Sequence, residues 1–319
     1  MLSKHHLFST KSSSLLALSR KFRLLFFSAL IIVAVRPIAA QMQTRPFAHN
    51  GYDRPYLIYR PAHLAKDPAV VFMLGGIGST ARFASRNFGW TQEADRSGFL
   101  VVFPEPVATD PSKPANKKNI TFWQMRGSRT RILAPNALPV DDDGYLIAVL
   151  HDVLRRDHPD RKRVFFAGFP SGSGMVQLLA SRHPKDIRAI AAVATPLMDP
   201  PTKLERPVGV LYIHGDNDEQ FSGFETLSPH FATTPHGNWV TWGYLDGCQK
   251  QTAETAAWGV RFSWEGCKSD VPVIADFVIG LGHEWAGSLD SSWNGMPHAK
   301  DPLNFTDMAW KFFASVGTK

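Results

Sequence analysis

From residue 56 onwards, short and almost wholly apolar runs alternate with stretches whose apolar residues recur every three or four positions. The clearest runs are Ala69-Val70-Val71-Phe72-Met73-Leu74, Phe99-Leu100-Val101-Val102-Phe103, Val164 to Ala167, Ile187 to Val193 and Val208 to Ile213. Val271 to Ile279 carries the last of them, and Tyr56 to Tyr59 reads as an early edge strand. Apolar runs of this length bounded by Gly or Pro are strands buried on both faces, which belong in parallel sheets. Asn87 to Ser97, Asp141 through about Arg156, Met175 to Ser181 and Asn304 to Ala314 read as helices. Asp141, Asp142 and Asp143 sit at the positive end of the second of these, where carboxylates cap. The alternation predicts one α/β domain over residues 41–319, a largely parallel sheet with helices on both faces.

The first 40 residues follow another pattern. Lys4, Lys11, Arg20, Lys21 and Arg23 precede an apolar run, Leu24 to Val35, with small residues at Ala39-Ala40. A basic start, an apolar core and a small-residue exit describe a secretory signal, here with a long leader. Twelve residues rise about 18 Å as a helix, short of the roughly 30 Å of a bilayer core, so an anchor is the weaker reading. The expectation is export, to an extracellular or periplasmic location, with cleavage near Ala40 and no membrane association afterwards.

That leader also carries the charge. The whole chain has a formal net charge of +7, but six of its 35 Lys and Arg residues and none of its 28 acids fall within residues 1–40. The remainder is nearly neutral, which gives no reason to expect a nucleic-acid partner. Two cysteines, Cys248 and Cys267, suggest a disulfide in an exported chain, with two buried thiols as the alternative. No spacing of Cys, His or Glu suggests a metal site, and no cofactor is implied.

The candidate chemistry lies at strand ends. Val164 to Ala167 runs into Gly168-Phe169-Pro170-Ser171-Gly172 and then a helix, the strand–turn–helix context of Gly-x-Ser-x-Gly. The glycines have the spacing of that nucleophile elbow, while Pro170 occupies the place of the serine. Asp218 follows one later strand and His283 another. Turn, acid and histidine in that order, each at a strand's carboxyl end, match a nucleophile–acid–base triad for acyl transfer.

These features resemble the secreted α/β-hydrolase esterases grouped with polyhydroxybutyrate depolymerases and feruloyl or acetylxylan esterases. The resemblance covers most of residues 45–315. It is carried by Leu74-Gly75-Gly76-Ile77-Gly78-Ser79, Gly89-Trp90, Asp142-Asp143-Gly144-Tyr145, the elbow, His214-Gly215-Asp216-Asn217-Asp218, Gly247-Cys248, Gly266-Cys267 and Gly282-His283-Glu284-Trp285. It implies an α/β-hydrolase fold, Asp218 as the acid, His283 as the general base and a Cys248–Cys267 disulfide. It also implies an oxyanion hole from backbone amides near Ile77 and Ser171. The chain departs from the family at Gly75, where a histidine is usual, and at Pro170.

Pro170 offers no hydroxyl and fixes φ near −65°, so the turn cannot take the strained conformation of an elbow nucleophile. Ser171 is the provisional nucleophile. Ser173 reads as a capping residue and second candidate. The competing reading is an impaired relative that binds an ester or carbohydrate ligand. Trp285, two residues past His283, is the expected substrate contact. Trp90, Trp123 and Trp293 are candidates for a groove as well as for the core. His214 reads as structural, and His230, His236 and His298 as solvated. Asn119 and Asn304 head glycosylation tripeptides. The expected substrate is a small or polymeric carboxylic ester.

Overall fold

Fourteen strands and six principal helices make up the computed structural model of the chain, which describes residues 39–113, 115–125, 139–197, 200–219, 238–289 and 303–317. Residues 1–38, most of the expected leader, lie outside the described residues, as do His230, His236, Trp293 and His298. The main strands are β1 (Gln41–Arg45), β4 (Tyr56–Arg60), β5 (Val70–Leu74), β6 (Leu100–Pro104), β9 (Val164–Gly168), β10 (Ala189–Val193), β11 (Gly209–Gly215), β12 (Lys250–Ala256), β13 (Gly259–Glu265) and β14 (Val273–Val278). Two small ribbons, β2 (Ala48–His49) with β3 (Tyr52–Asp53) and β7 (Val107–Ala108) with β8 (Thr121–Phe122), stand apart. The helices are α1 (Ala81–Asn87), α2 (Trp90–Ser97), α3 (Asp142–Arg156), α4 (Ser171–Arg182), α5 (Asn238–Leu245) and α6 (Phe305–Gly317).

The ten main strands form one sheet in the order β1-β4-β6-β5-β9-β10-β11-β14-β13-β12. From β6 to β14 every neighbouring pair is parallel, and both flanks are antiparallel. The central strands are buried at every position, which accounts for their unbroken apolar sequences. Successive residues serve opposite faces. Phe72 and Phe166 stack at 4.5 Å in the core shared with α3 and α4, while Phe165 stacks on Phe313 of α6 at 4.6 Å in the other. This is the expected mostly parallel sheet with helices on both faces.

Three details correct the expected elements. The strand at Tyr56 is not the edge, because β1 pairs outside it with Thr44 opposite Leu57. The helical stretch 87–97 breaks at Gly89, whose φ of +74° ends any continuous helix and opens α2. The far edge is the β12–β13 hairpin, closed at its base by the Cys248–Cys267 disulfide. Closing a loop of that size adds about 3 kcal/mol by restricting the unfolded chain.

Beside that disulfide, Asp246 is wholly buried. Its Oδ1 accepts a hydrogen bond from Val208 N at 3.1 Å, while Oδ2 has no hydrogen-bond partner among the described residues. Burial pushes its carboxyl up to about 7, against the opposing pull of the Val208 amide and Lys268. The folded protein therefore holds a proton here that the unfolded chain has lost above about pH 4. The stability Asp246 contributes is present at low pH and is lost as pH rises toward 7, about 4 kcal/mol in all. Denaturant titrations of wild type and Asp246→Asn at pH 4.5 and 7.5 should show wild type losing stability relative to the variant as pH rises. A constant difference would contradict the assignment.

Candidate active site

The chain passes from β5 to β6 on one side and then returns to β9 on the other. Such a reversal opens a crevice at the carboxyl ends of the strands, the place where open α/β sheets bind ligands. The candidate residues converge there.

The turn after β9 is forced against β5. A Cβ on Gly168 would lie 2.3 Å from Gly172 C, and one on Gly172 would lie 2.1 Å from Leu74 O. Only glycine fits at either position, and Phe169 N donates to Leu74 O at 3.0 Å. Pro170 has φ −74° and ψ −43°, so the turn enters α4 directly in a helical conformation. No residue from 168 to 172 has positive φ. The usual strain of a nucleophile elbow is absent, because the proline ring admits only the relaxed conformation.

Asp218 and His283 meet. His283 Nδ1 lies 2.8 Å from Asp218 Oδ2, with the two residues 2% and 1% exposed. The loops that carry them are laced together. Asp216 N donates to Val278 O, Asn217 N to Leu281 O, and Gly280 N to Asp216 Oδ1 at 2.6 Å. A Cβ on Gly215 would lie 2.1 Å from Leu281 O, so the His-Gly sequence before the acid is a packing requirement. Tilted at 36°, the His283 ring lies against that of Phe169, with centroids 5.1 Å apart. The elbow therefore faces the Asp–His pair.

Ser171 Oγ is buried and has no hydrogen-bond partner among the described residues, His283 included. An unsatisfied buried hydroxyl costs about 1–3 kcal/mol. Ser173 is wholly buried, and its hydroxyl donates to Thr195 O at 2.7 Å. Its oxygen is thereby committed to holding α4 against the end of β10. Ala194, at φ +76°, turns the chain there, and its carbonyl receives Tyr212 OH at 2.8 Å and faces His214 Nδ1 at 3.0 Å. Burial lowers the His214 pKa and keeps the ring neutral, in line with its structural reading. Neither Ala194 nor Thr195 carries a sequence signal for this support, since positive φ at alanine is invisible in composition.

The loop from Gly75 to Ser79 lies beside the elbow and is pinned from outside. Gly78 N donates to Thr121 O, Thr121 Oγ1 to Ser79 O at 2.5 Å, and Trp123 Nε1 to Gly75 O at 3.0 Å. Ile77, at the loop's tip, is 37% exposed.

Trp285 differs from expectation. It is 2% exposed, donates its indole N–H to Thr306 Oγ1, and packs against Phe88, Trp90, Phe169 and Phe305. Its ring buttresses Phe169 and is part of the core, not the wall of a groove. Trp90 and Trp123 are likewise fully buried. Asp141 caps α3 through Gly144 N, and Asp142 pairs with Arg54, as helix-start carboxylates should. Asn119 uses its amide to bind the carbonyls of Asp110 and Lys113, while Asn304 is exposed and accepts from Asp307 N. No cluster of metal-ligating side chains occurs among the described residues. No helix among them is long and apolar enough to cross a membrane.

No family model matches the chain. It is 24% identical over 269 residues to a bifunctional acetylxylan esterase/xylanase of Neocallimastix patriciarum, covering 77% of this chain and 36% of the relative. Over 211 residues it is 23% identical to acetylxylan esterase A of Emericella nidulans, covering 66% and 61%. The chain thus spans less than two thirds of the length of these curated relatives. Among solved structures, an acetyl xylan esterase from Aspergillus awamori superposes with a TM-score of 0.58 at 14% identity, over 86% of this chain and 99% of that one. A ferulic acid esterase gives 0.51 at 12% identity, over 88% and 98%. The fold is that of the α/β-hydrolases, and the relatives that share its sequence are esterases.

Proposed function

We propose that the chain is an exported carboxylic ester hydrolase acting on acetylated or feruloylated plant-wall saccharides or on related small esters. The observation that supports this most strongly is the buried 2.8 Å contact between His283 and Asp218 beside the elbow turn. Asp218 orients the imidazole, and the ring nitrogen opposite it acts as the base. Ser171 is the nucleophile of this reading. Its hydroxyl has no hydrogen bond among the described residues that would have to be broken before it could serve the base. Oγ attacks the ester carbonyl as its proton passes to His283, and the backbone amides of Ile77 and Ser171 receive the oxyanion. The imidazolium then protonates the departing alkoxide, and water, deprotonated by the same ring, releases the acid.

A second reading has a specific basis. Pro170 at the elbow position and a Ser171 hydroxyl not bonded to His283 suit a relative that binds esters without turning them over. The comparison of wild type with Ser171→Ala on a short-chain p-nitrophenyl ester separates the two. Slow hydrolysis by wild type, lowered at least about 10³-fold by the substitution, supports the enzyme. An unchanged rate removes Ser171 from the mechanism, and no rate in wild type favours the binding protein.

A further inference from the structure

A second concavity lies away from the catalytic pair. It encloses about 580 Å³ between the β1–β4 edge and helices α1 and α2, a volume within the range of small-ligand sites. Arg82 and Arg86 of α1 line one side, four residues apart and hence on one face of the helix. Both are exposed, and neither has an ion pair or side-chain hydrogen bond among the described residues. Three other arginines, Arg45, Arg54 and Arg261, are by contrast paired with carboxylates, those of Asp157, Asp142 and Asp276. Glu105, the acid that feels Arg82, is engaged with the Ala81 amide at 2.9 Å. Opposite, Leu57 and Tyr59 supply apolar surface, and the Tyr59 hydroxyl is held by Asp95 at 2.7 Å. Thr91 and Gln92 add hydrogen-bonding groups.

We infer that this groove binds a carboxylate-bearing saccharide, with Arg82 and Arg86 receiving the carboxylate. Two guanidinium forks on one helix face match a planar carboxylate better than a neutral sugar hydroxyl. A sugar ring's C–H face suits the Leu57–Tyr59 wall, and its hydroxyls suit Thr91 and Gln92. The groove borders β4, three strand positions from β9 and so about 14 Å from the elbow across the sheet. An extended oligosaccharide is long enough to occupy both. The choice of a saccharide rests on the ester-hydrolase reading; the cavity and its two arginines do not.

Calorimetric titration tests the groove without turnover. A glucuronic-acid-substituted xylo-oligosaccharide, the unsubstituted oligosaccharide of equal length and inorganic phosphate are each titrated into the intact protein. The acidic oligosaccharide should bind at least about tenfold more tightly than the neutral one, with a preference that fades as salt is raised. Arg82→Gln/Arg86→Gln should abolish the preference at an unchanged melting temperature. Equal binding of the two oligosaccharides, a preference that survives the double substitution, or phosphate binding as tightly as the acidic oligosaccharide would overturn the inference. Preferential binding by a protein that hydrolyses no ester would leave the groove standing and sink the hydrolase reading alone.

Discussion

Pro170→Ser is expected to raise kcat/KM on a short-chain p-nitrophenyl ester by at least about 10²-fold, because loss of a triad hydroxyl typically costs several orders of magnitude. The substitution supplies an oxygen at the elbow position and also releases φ from the proline ring. Everything else the turn needs is in place. Gly168 and Gly172 keep the close approach to β5, and Phe169 already lies against the His283 ring. Pro170→Ala is the control, since it frees the backbone without adding a hydroxyl and should give no comparable gain. Steady-state kinetics on the three proteins decides. No gain from serine would mean that the Asp218–His283 pair does not address the elbow in solution.

Arg54→Met is expected to destabilise the protein by about 3–5 kcal/mol, the usual cost of leaving a buried charge without its partner. Arg54 and Asp142 are 2% and 0% exposed, with NH2 and Oδ1 2.5 Å apart. Desolvation raises the Asp142 pKa, and the Arg54 charge and the Gln124 amide work against it. The guanidinium also sits 3.6 Å from the centre of the Tyr145 ring and donates to Glu105 O. This cluster joins the segment before β4, the end of β6 and the start of α3. Through Gln124 it reaches Trp123, which holds the Gly75 carbonyl beside the elbow. Denaturant unfolding measures the loss. Arg54→Met/Asp142→Asn, which removes both charges but keeps an acceptor for Gln124 N, should recover much of it. A single variant within 1 kcal/mol of wild type would contradict the role assigned to the pair.

The parallel core of the sheet was legible because burial on both faces leaves runs such as Val70–Leu74 and Val164–Gly168 with no polar residue to blur them. The edges were not. β1 reads Gln-Met-Gln-Thr-Arg and β12 reads Lys-Gln-Thr-Ala-Glu-Thr-Ala, sequences whose strand character comes from pairing with a neighbour and not from an apolar face. Strand-end placement brought Asp218 and His283 into view as a pair, since the sheet itself puts those ends together. Trp285 was misplaced for the converse reason. Its neighbours Phe88 and Phe305 are remote in sequence, so its burial is a tertiary fact. The groove at Arg82 and Arg86 was silent too, because two arginines on a helix say nothing until the acids around them are located.

The central claim is that His283, held by Asp218, can activate a serine oxygen at the elbow. Treatment of the wild-type protein with a p-nitrophenyl dialkyl phosphate, followed by mass spectrometry of its peptides, tests it most directly. The account predicts one phosphoryl adduct, on Ser171, and its loss in His283→Ala. An unlabelled wild type, or labelling at Ser171 that persists without the His283 imidazole, would contradict it.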